Sequence, residues 1–207
     1  MMIHADLKIE DGRVLVWKIT ESIDELLSAI QHPDTIADFQ KIKTEKRKFE
    51  FLAARVALKK ILGKEYSVFY TEAGKPFLSE NCCNISISHS GKWIAVAAHP
   101  FMQIGVDIEC LSDKIQKLYK RFLSEEEQSD LLQGTNLKQL QIAWSAKEAM
   151  YKIIGKEAVD FAKQLRIYPF ETEEINGELT AEHTVSGKLY NLHYFQNTDY
   201  TLVYCIN

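Results

Sequence analysis

The chain has 207 residues, 46% apolar and 26% charged, an ordinary globular composition that can bury a sizeable core in one large domain or two small ones. Its 25 basic and 29 acidic side chains leave a net charge of -4, which speaks against a general nucleic-acid binder, whose affinity would come from a basic surface. Cys82, Cys83, Cys110 and Cys205 have no CxxC spacing, no basic-then-apolar leader opens the chain, and no apolar run nears the ~20 residues that span a bilayer, so a reduced, cytoplasmic setting without a zinc site, disulfide framework or membrane anchor is expected.

Val14–Ile19 reads as a strand, and Ser22 with Glu25 makes a capping box opening a short helix to about Gln31. His32-Pro33-Asp34 breaks it. A long helix then runs from about Thr44 to Leu62, with Phe49, Leu52, Ala53, Val56, Leu58, Ile61 and Leu62 on its apolar side and Gly63 as its cap. Lys41, Lys43, Lys46, Arg47 and Lys48 crowd its start, which a solvated helix face explains as readily as a ligand. Arg55 lies among apolar neighbours, where a guanidinium calls for an anionic partner. Tyr66–Tyr70 reads as a strand and Glu72–Phe77 as a turn. Asn84–Ser88 is a strand entering the polar turn His89-Ser90-Gly91, and Trp93–Ala98 and Ile104–Glu109 are two more. Short links among them favour an antiparallel sheet.

Helices are expected over Ser112–Phe122, from a second capping box at Ser124 and Glu127 to about Leu132, and over Leu137–Ile154, stopping at Gly155. Leu165–Tyr168, Gly187–Phe195 and Tyr200–Ile206 read as strands, the last two a hairpin around Gln196-Asn197-Thr198-Asp199. Each half therefore carries a long basic-amphipathic helix ending in glycine, Arg47–Gly63 and Trp144–Gly155, followed by strands. This echo predicts an α+β fold of two similar halves, 1–101 and 102–207. Each would be a long helix packed on a small, mostly antiparallel sheet, with a pseudo-twofold axis relating them and a ligand between them.

In Ile104-Gly105-Val106-Asp107-Ile108-Glu109 the period of two puts Asp107 and Glu109 on one face, roughly 7 Å apart at ~3.4 Å rise per residue. Such like charges repel unless a cation or a set of donors sits between them, although acid pairs on exposed strands often bind nothing. Gly105 admits a ligand or another backbone closely. Trp144, Glu148 and Lys152 stand at i, i+4 and i+8, in one row on their helix. A surface ion pair accounts for Glu148 and Lys152 but not for the tryptophan in the same row. Glu148 joined to Asp107 and Glu109 would give three oxygen ligands suited to Mg2+, with Lys152 placed to neutralise a phosphate. Ser88-His89-Ser90-Gly91 alone fits a structural histidine as well as a ligand. No GxxxxGK[ST] loop, zinc spacing or nucleophile triad is present.

Gly74-Lys75-Pro76, Asn84-Ile85-Ser86-Ile87-Ser88-His89-Ser90, Ile104-Gly105-Val106-Asp107-Ile108-Glu109, Phe122-Leu123-Ser124-Glu125-Glu126-Glu127 and Trp144-Ser145-Ala146-Lys147-Glu148-Ala149-Met150-Tyr151-Lys152 stand in the order found in 4′-phosphopantetheinyl transferases. Across residues 41–156 the chain resembles the two-halved, monomeric, surfactin-synthetase-activating type. The resemblance implies transfer of the phosphopantetheine arm of coenzyme A to a serine of an acyl or peptidyl carrier protein, releasing adenosine 3′,5′-bisphosphate. By position, Asp107, Glu109 and Glu148 would hold Mg2+ against the pyrophosphate, Glu148 would take the serine proton directly or through a metal-ordered water, and Lys152 would stabilise charge on the phosphate or leaving group. Ser88 and His89 would bind coenzyme A phosphates, Gly74, Lys75 and Pro76 would line the adenine pocket, and Lys43, Lys46 and Arg55 would meet the 3′-phosphate. Glu127 is read as half of a helix cap rather than as a site residue. A non-catalytic module that binds coenzyme A or a carrier protein, and a metal-dependent hydrolase of nucleotide pyrophosphates, are the competing readings.

Overall fold

β1 (Met2–Ile9) and β2 (Gly12–Lys18) open the chain as an antiparallel pair in a computed structural model, which describes residues 2–131, 137–155, 159–172 and 174–207. The architecture is α+β, helices on antiparallel sheet, in two compact units, Met1–Ile104 and Gly105–Asn207. β1 goes unmarked in the sequence reading because it is a sheet edge with mostly exposed side chains, which blurs the period-two signal.

In the first unit, α1 (Ile23–Ser28) starts from the expected capping box, with Ser22 and Glu25 bonding each other's backbone. α2 (Pro33–Lys41) is an additional helix. Pro33, read only as a breaker, sits in its first turn, where a missing N–H costs nothing. α3 (Glu45–Leu62) is capped by Thr44 and ends at Gly63, whose φ of +79° suits glycine. β3 (Val68–Tyr70) and β4 (Pro76–Leu78) form a small hairpin. β5 (Asn84–Ser90) runs two residues past expectation, with His89 and Ser90 paired to Ile94 and Trp93 of β6 (Trp93–His99). The sheet order is β1-β2-β6-β5. Leu52, Ala53, Ala57 and Leu58 of α3 share one buried core with Leu15, Trp17, Ile94 and Val96 of the sheet.

The second unit begins with β7 (Ile104–Cys110). Two 3-10 turns, Asp113–Lys117 and Tyr119–Arg121, replace the expected helix over Ser112–Phe122. Their backbone bonds run i to i+3, as in Leu118 N–H to Ile115 O and Arg121 N–H to Leu118 O, and apolar residues three apart satisfy that geometry as well as an α-helix. α4 (Glu125–Leu131) follows; the expected extension to Leu132 lies outside the described residues, as does Lys156 beyond Gly155. α5 (Leu137–Ile154), α6 (Phe161–Gln164), β8 (Leu165–Ile167), β9 (Asn176–His183), β10 (Lys188–Gln196) and β11 (Tyr200–Ile206) complete the unit. The sheet order is β7-β11-β10-β9-β8. β9 is unanticipated, since glutamates, Thr180 and Gly177 dilute its apolar residues. The β10–β11 turn forms as read, with Asn197 Oδ1 accepting from Asp199 and Tyr200 backbone N–H groups at 2.8 and 2.9 Å.

Candidate active site

Gly105 is the point of closest approach between β7 and α5. A Cβ there would run into the Ala149 carbonyl oxygen and stand 3.0 Å from the Ile153 side chain, so the helix lies this low only over a glycine. Asp107 and Glu109 share the face of Gly105, and α5 meets each in turn. Lys152 Nζ donates to Asp107 Oδ1 at 2.9 Å and to the Val106 carbonyl at 2.7 Å. Trp144 Nε1 donates to Glu109 Oε1 at 3.4 Å. Glu148, midway along the row from Trp144 to Lys152, feels Asp107, Glu109 and Lys152 electrostatically. The acid-bearing face is therefore no exposed strand surface, and Asp107 is only 3% exposed.

Burial raises the Glu148 carboxyl most, Asp107 raises it further, Lys152 opposes them and Glu109 adds to them, which leaves it at about 7. A carboxyl group near neutrality is suited to accept and return protons at physiological pH. Among the described residues no three His, Cys, Asp or Glu side chains are already gathered to hold a metal ion. The Lys152 ammonium instead neutralises Asp107. The donor chemistry nonetheless fits Mg2+: these are carboxylate oxygens, the donors a hard divalent cation takes, and Asp107 and Glu109 add to a rise of Glu148 that burial dominates, a repulsion such a cation would relieve.

Sequence reasoning assigns no role to Lys147, yet it is fully buried, with Glu127 1% exposed beside it. Lys147 Nζ stands 2.6 Å from Glu127 Oε1 and donates to the carbonyls of Phe122 at 2.6 Å and Phe161 at 3.0 Å. Glu127 also accepts from the Ser124 N–H at 2.8 Å and the Ile167 N–H at 2.7 Å. It is cap and buried ion partner at once. Phe122 and Phe161 flank Trp144, with ring centroids 5.2 and 5.7 Å away, and all three line a hollow of about 620 Å3. The signal was available: a lysine on a helix face otherwise made of Ala143, Ala146 and Met150 requires a buried partner.

In the first unit, Lys43 is exposed ahead of α3 and Lys46 is exposed in its first turn. Both stand near Glu50 in sequence, and Glu50 is the group that the sequence reading missed. Lys46, Arg47 and His89 approach its carboxylate at 3.8, 3.6 and 3.5 Å. Ser88 is buried on β5. Gly74, at φ +78°, makes the turn that presents Lys75. Lys75 and Pro76 line a hollow of about 320 Å3 with Cys83, Asn84 and Gln103. Lys75 Nζ donates to Gln103 Oε1 at 2.5 Å, Gln103 Nε2 donates to Asn84 Oδ1 at 2.9 Å, and burial lowers the Lys75 ammonium.

Arg55 is placed elsewhere. It is 7% exposed, with the Phe51 ring 4.1 Å away, and it donates to the Tyr70 hydroxyl at 3.1 Å. It lines a separate hollow with Asp34, Asp38, Lys41 and Ser67. The anionic partner expected for it is replaced, among the described residues, by aromatic faces and a hydroxyl, which a flat guanidinium accepts.

A family model described as the 4′-phosphopantetheinyl transferase superfamily matches residues 103–205. Among curated proteins, the chain is 33% identical over 116 residues to the 4′-phosphopantetheinyl transferase Sfp of Bacillus subtilis (strain 168), covering 51% of this chain and 51% of that protein. It is 26% identical over 163 residues to the L-aminoadipate-semialdehyde dehydrogenase-phosphopantetheinyl transferase of Xenopus laevis, covering 67% and 51%. It is 32% identical over 117 residues to the 4′-phosphopantetheinyl transferase ffp of Bacillus subtilis, covering 55% and 52%. The chain spans about half the length of these curated relatives.

Proposed function

Since the chain belongs, through residues 103–205, to the 4′-phosphopantetheinyl transferase superfamily, we propose that it is an enzyme that moves the 4′-phosphopantetheine arm of coenzyme A onto a serine of an acyl or peptidyl carrier protein and releases adenosine 3′,5′-bisphosphate. The observation that carries the reading is the carboxyl of Glu148, held at about 7 beside Asp107, Glu109 and Lys152 within the matched residues. In this reading the carrier serine oxygen bonds to the phosphorus bearing pantetheine while the pyrophosphate P–O bond breaks. Glu148 accepts the serine proton as that bond forms, because an alcohol is a poor nucleophile until a base takes its proton. Lys152 answers the charge that builds on the phosphate oxygens, and its bond to Asp107 orients it. Asp107, Glu109 and Glu148 would hold Mg2+, which supplies charge neutralisation for pyrophosphate displacement.

The first-unit residues have matching parts. Ser88 and His89 bind phosphate oxygens of coenzyme A, and Gly74, Lys75 and Pro76 take the adenine end. Lys43, Lys46 and Arg55 meet the 3′-phosphate. For Lys46 the bound phosphate competes with Glu50, so that carboxylate sets how strongly the cluster attracts anions. Arg55 faces a hollow shared with Lys41 from its seat against Phe51 and Tyr70. The protein acts in the cytoplasm as a monomer in this reading, and light scattering after size exclusion checks the latter.

The test is incubation with coenzyme A, Mg2+ and a panel of apo carrier proteins, read by mass. A phosphopantetheine mass on at least one carrier is expected. Coenzyme A cleavage without carrier would point to a hydrolase, and binding without either product to a non-catalytic module. Asp107→Ala should abolish transfer while leaving the circular dichroism spectrum unchanged; full activity in that variant removes the assignment of the acids.

A further inference from the structure

Cys82 and Cys83 are adjacent in sequence, just ahead of the strand that supplies Asn84. Their sulfurs already touch, with Cys82 Sγ and Cys83 Sγ 3.9 Å apart. Cys82 is exposed, whereas Cys83 is half-buried and helps line the hollow that holds Lys75, Pro76, Asn84 and Gln103. The Tyr66 phenol lies beside the Cys82 side chain, which raises it, and the Lys64 ammonium over the Tyr66 ring pairs with Glu80 at 3.3 Å.

We propose that Cys82 and Cys83 are a reversible oxidative modification site, closing to a disulfide between neighbouring residues on the wall of the Lys75 hollow. The oxidant is a peroxide. The Cys82 thiolate attacks one peroxide oxygen, the O–O bond breaks, and hydroxide leaves to give a sulfenic acid. Cys83 then attacks the Cys82 sulfur, the S–S bond forms, the S–O bond breaks, and water departs. The two thiols lose two electrons and two protons, and hydrogen peroxide becomes two waters. Burial and the neighbouring Cys82 push the Cys83 thiol up to about 12, so the first attack falls to the exposed partner.

Geometry makes the bond labile. Neighbouring Cα atoms lie ~3.8 Å apart, below the ~4.4 Å at which unstrained disulfides begin. Strained disulfides have the more oxidising potentials of regulatory bonds, so a thiol such as glutathione reopens this one. Closure twists the Cys82–Cys83 peptide immediately before Asn84, whose side chain accepts from Gln103 and donates to the Met102 carbonyl at 2.9 Å, while Gln103 holds Lys75. Resting on the proposed assignment of Lys75 and Pro76 to coenzyme A, oxidation should raise KM for coenzyme A several-fold with little change in kcat.

The test oxidises the full chain with hydrogen peroxide and maps the peptide containing both cysteines by mass. Loss of two hydrogens, reversed by glutathione and absent in Cys82→Ser and Cys83→Ser, supports the site. No mass change, progression to sulfinic acid, or crosslinks to Cys110, Cys205 or a second chain would overturn it. An unchanged KM in protein shown by mass to be oxidised overturns the coupling to the hollow. Lack of any transfer by the reduced protein overturns the proposed function instead and leaves the disulfide measurement intact.

Discussion

Glu148 sits where two periodicities cross, every second residue of β7 and every fourth of α5, and its protonation carries a stability signature. Its folded carboxyl is raised to about 7 from an ordinary 4.5, chiefly by burial. Below the unfolded value both states are protonated; above about 7 the folded protein must hold a buried charge, so stability falls as pH climbs between the two. Glu148→Gln should therefore raise the thermal midpoint relative to the parent in chelator-treated protein. The gap should open from pH 5 upward and level off above pH 7, and a pH-independent gap would contradict the assignment. The same substitution should cut transfer by about 10²–10⁴, the usual loss on removing a general base. Lys147 tests a different principle. Lys147→Ala strands the Glu127 carboxylate in the core and should cost about 3–5 kcal/mol, whereas Lys147→Met with Glu127→Leu should recover much of that loss in denaturant titrations. The shared row of Trp144, Glu148 and Lys152 was legible because four-residue spacing is local geometry. The apolar face of Ala143, Ala146 and Met150 marked Lys147, but its partner Glu127, like the place of Glu50 among Lys46, Arg47 and His89, depends on how segments pack, and spacing alone does not say.

At the scale of elements, the site depends on how closely α5 lies against β7. Gly105→Ala puts a methyl against the Ala149 carbonyl, and displacing the helix should cost about 1–3 kcal/mol in folding. Activity should fall more than stability alone explains, because Trp144, Glu148 and Lys152 move with the helix; a stable, fully active variant would show that the close approach is dispensable. Ser124→Ala removes the acceptor for the Glu127 N–H and should cost about 1 kcal/mol, measured by denaturant midpoint. Capping boxes were readable at both Ser22 and Ser124 because each is a four-residue pattern with one structural solution. The 3-10 turns at Asp113–Lys117 and Tyr119–Arg121 were not, since Ile115 and Leu118 fit either helix type. β1 and β9 were missed for a related reason: exposed or diluted strands take their shape from a partner strand, and the partner is distant in sequence.

At the scale of the molecule, the two units have separate buried cores, each with a long helix on its own antiparallel sheet. Leu52→Ala in the first and Leu192→Ala in the second, both fully buried, should each cost about 2–5 kcal/mol, and circular dichroism in guanidinium checks both. The α+β class and the long helices ending at Gly63 and Gly155 were available from the chain alone, because amphipathic period and a glycine stop are short-range properties. So was the shared face of Asp107 and Glu109, which the pleat of any strand imposes. Only the tertiary structure decided that this face lies beneath α5 rather than in water, that Lys152 neutralises Asp107, and that Arg55 rests between aromatic rings. Those outcomes follow from packing between segments far apart in the chain, where a side chain's partner is set by the fold and leaves no mark in its neighbours.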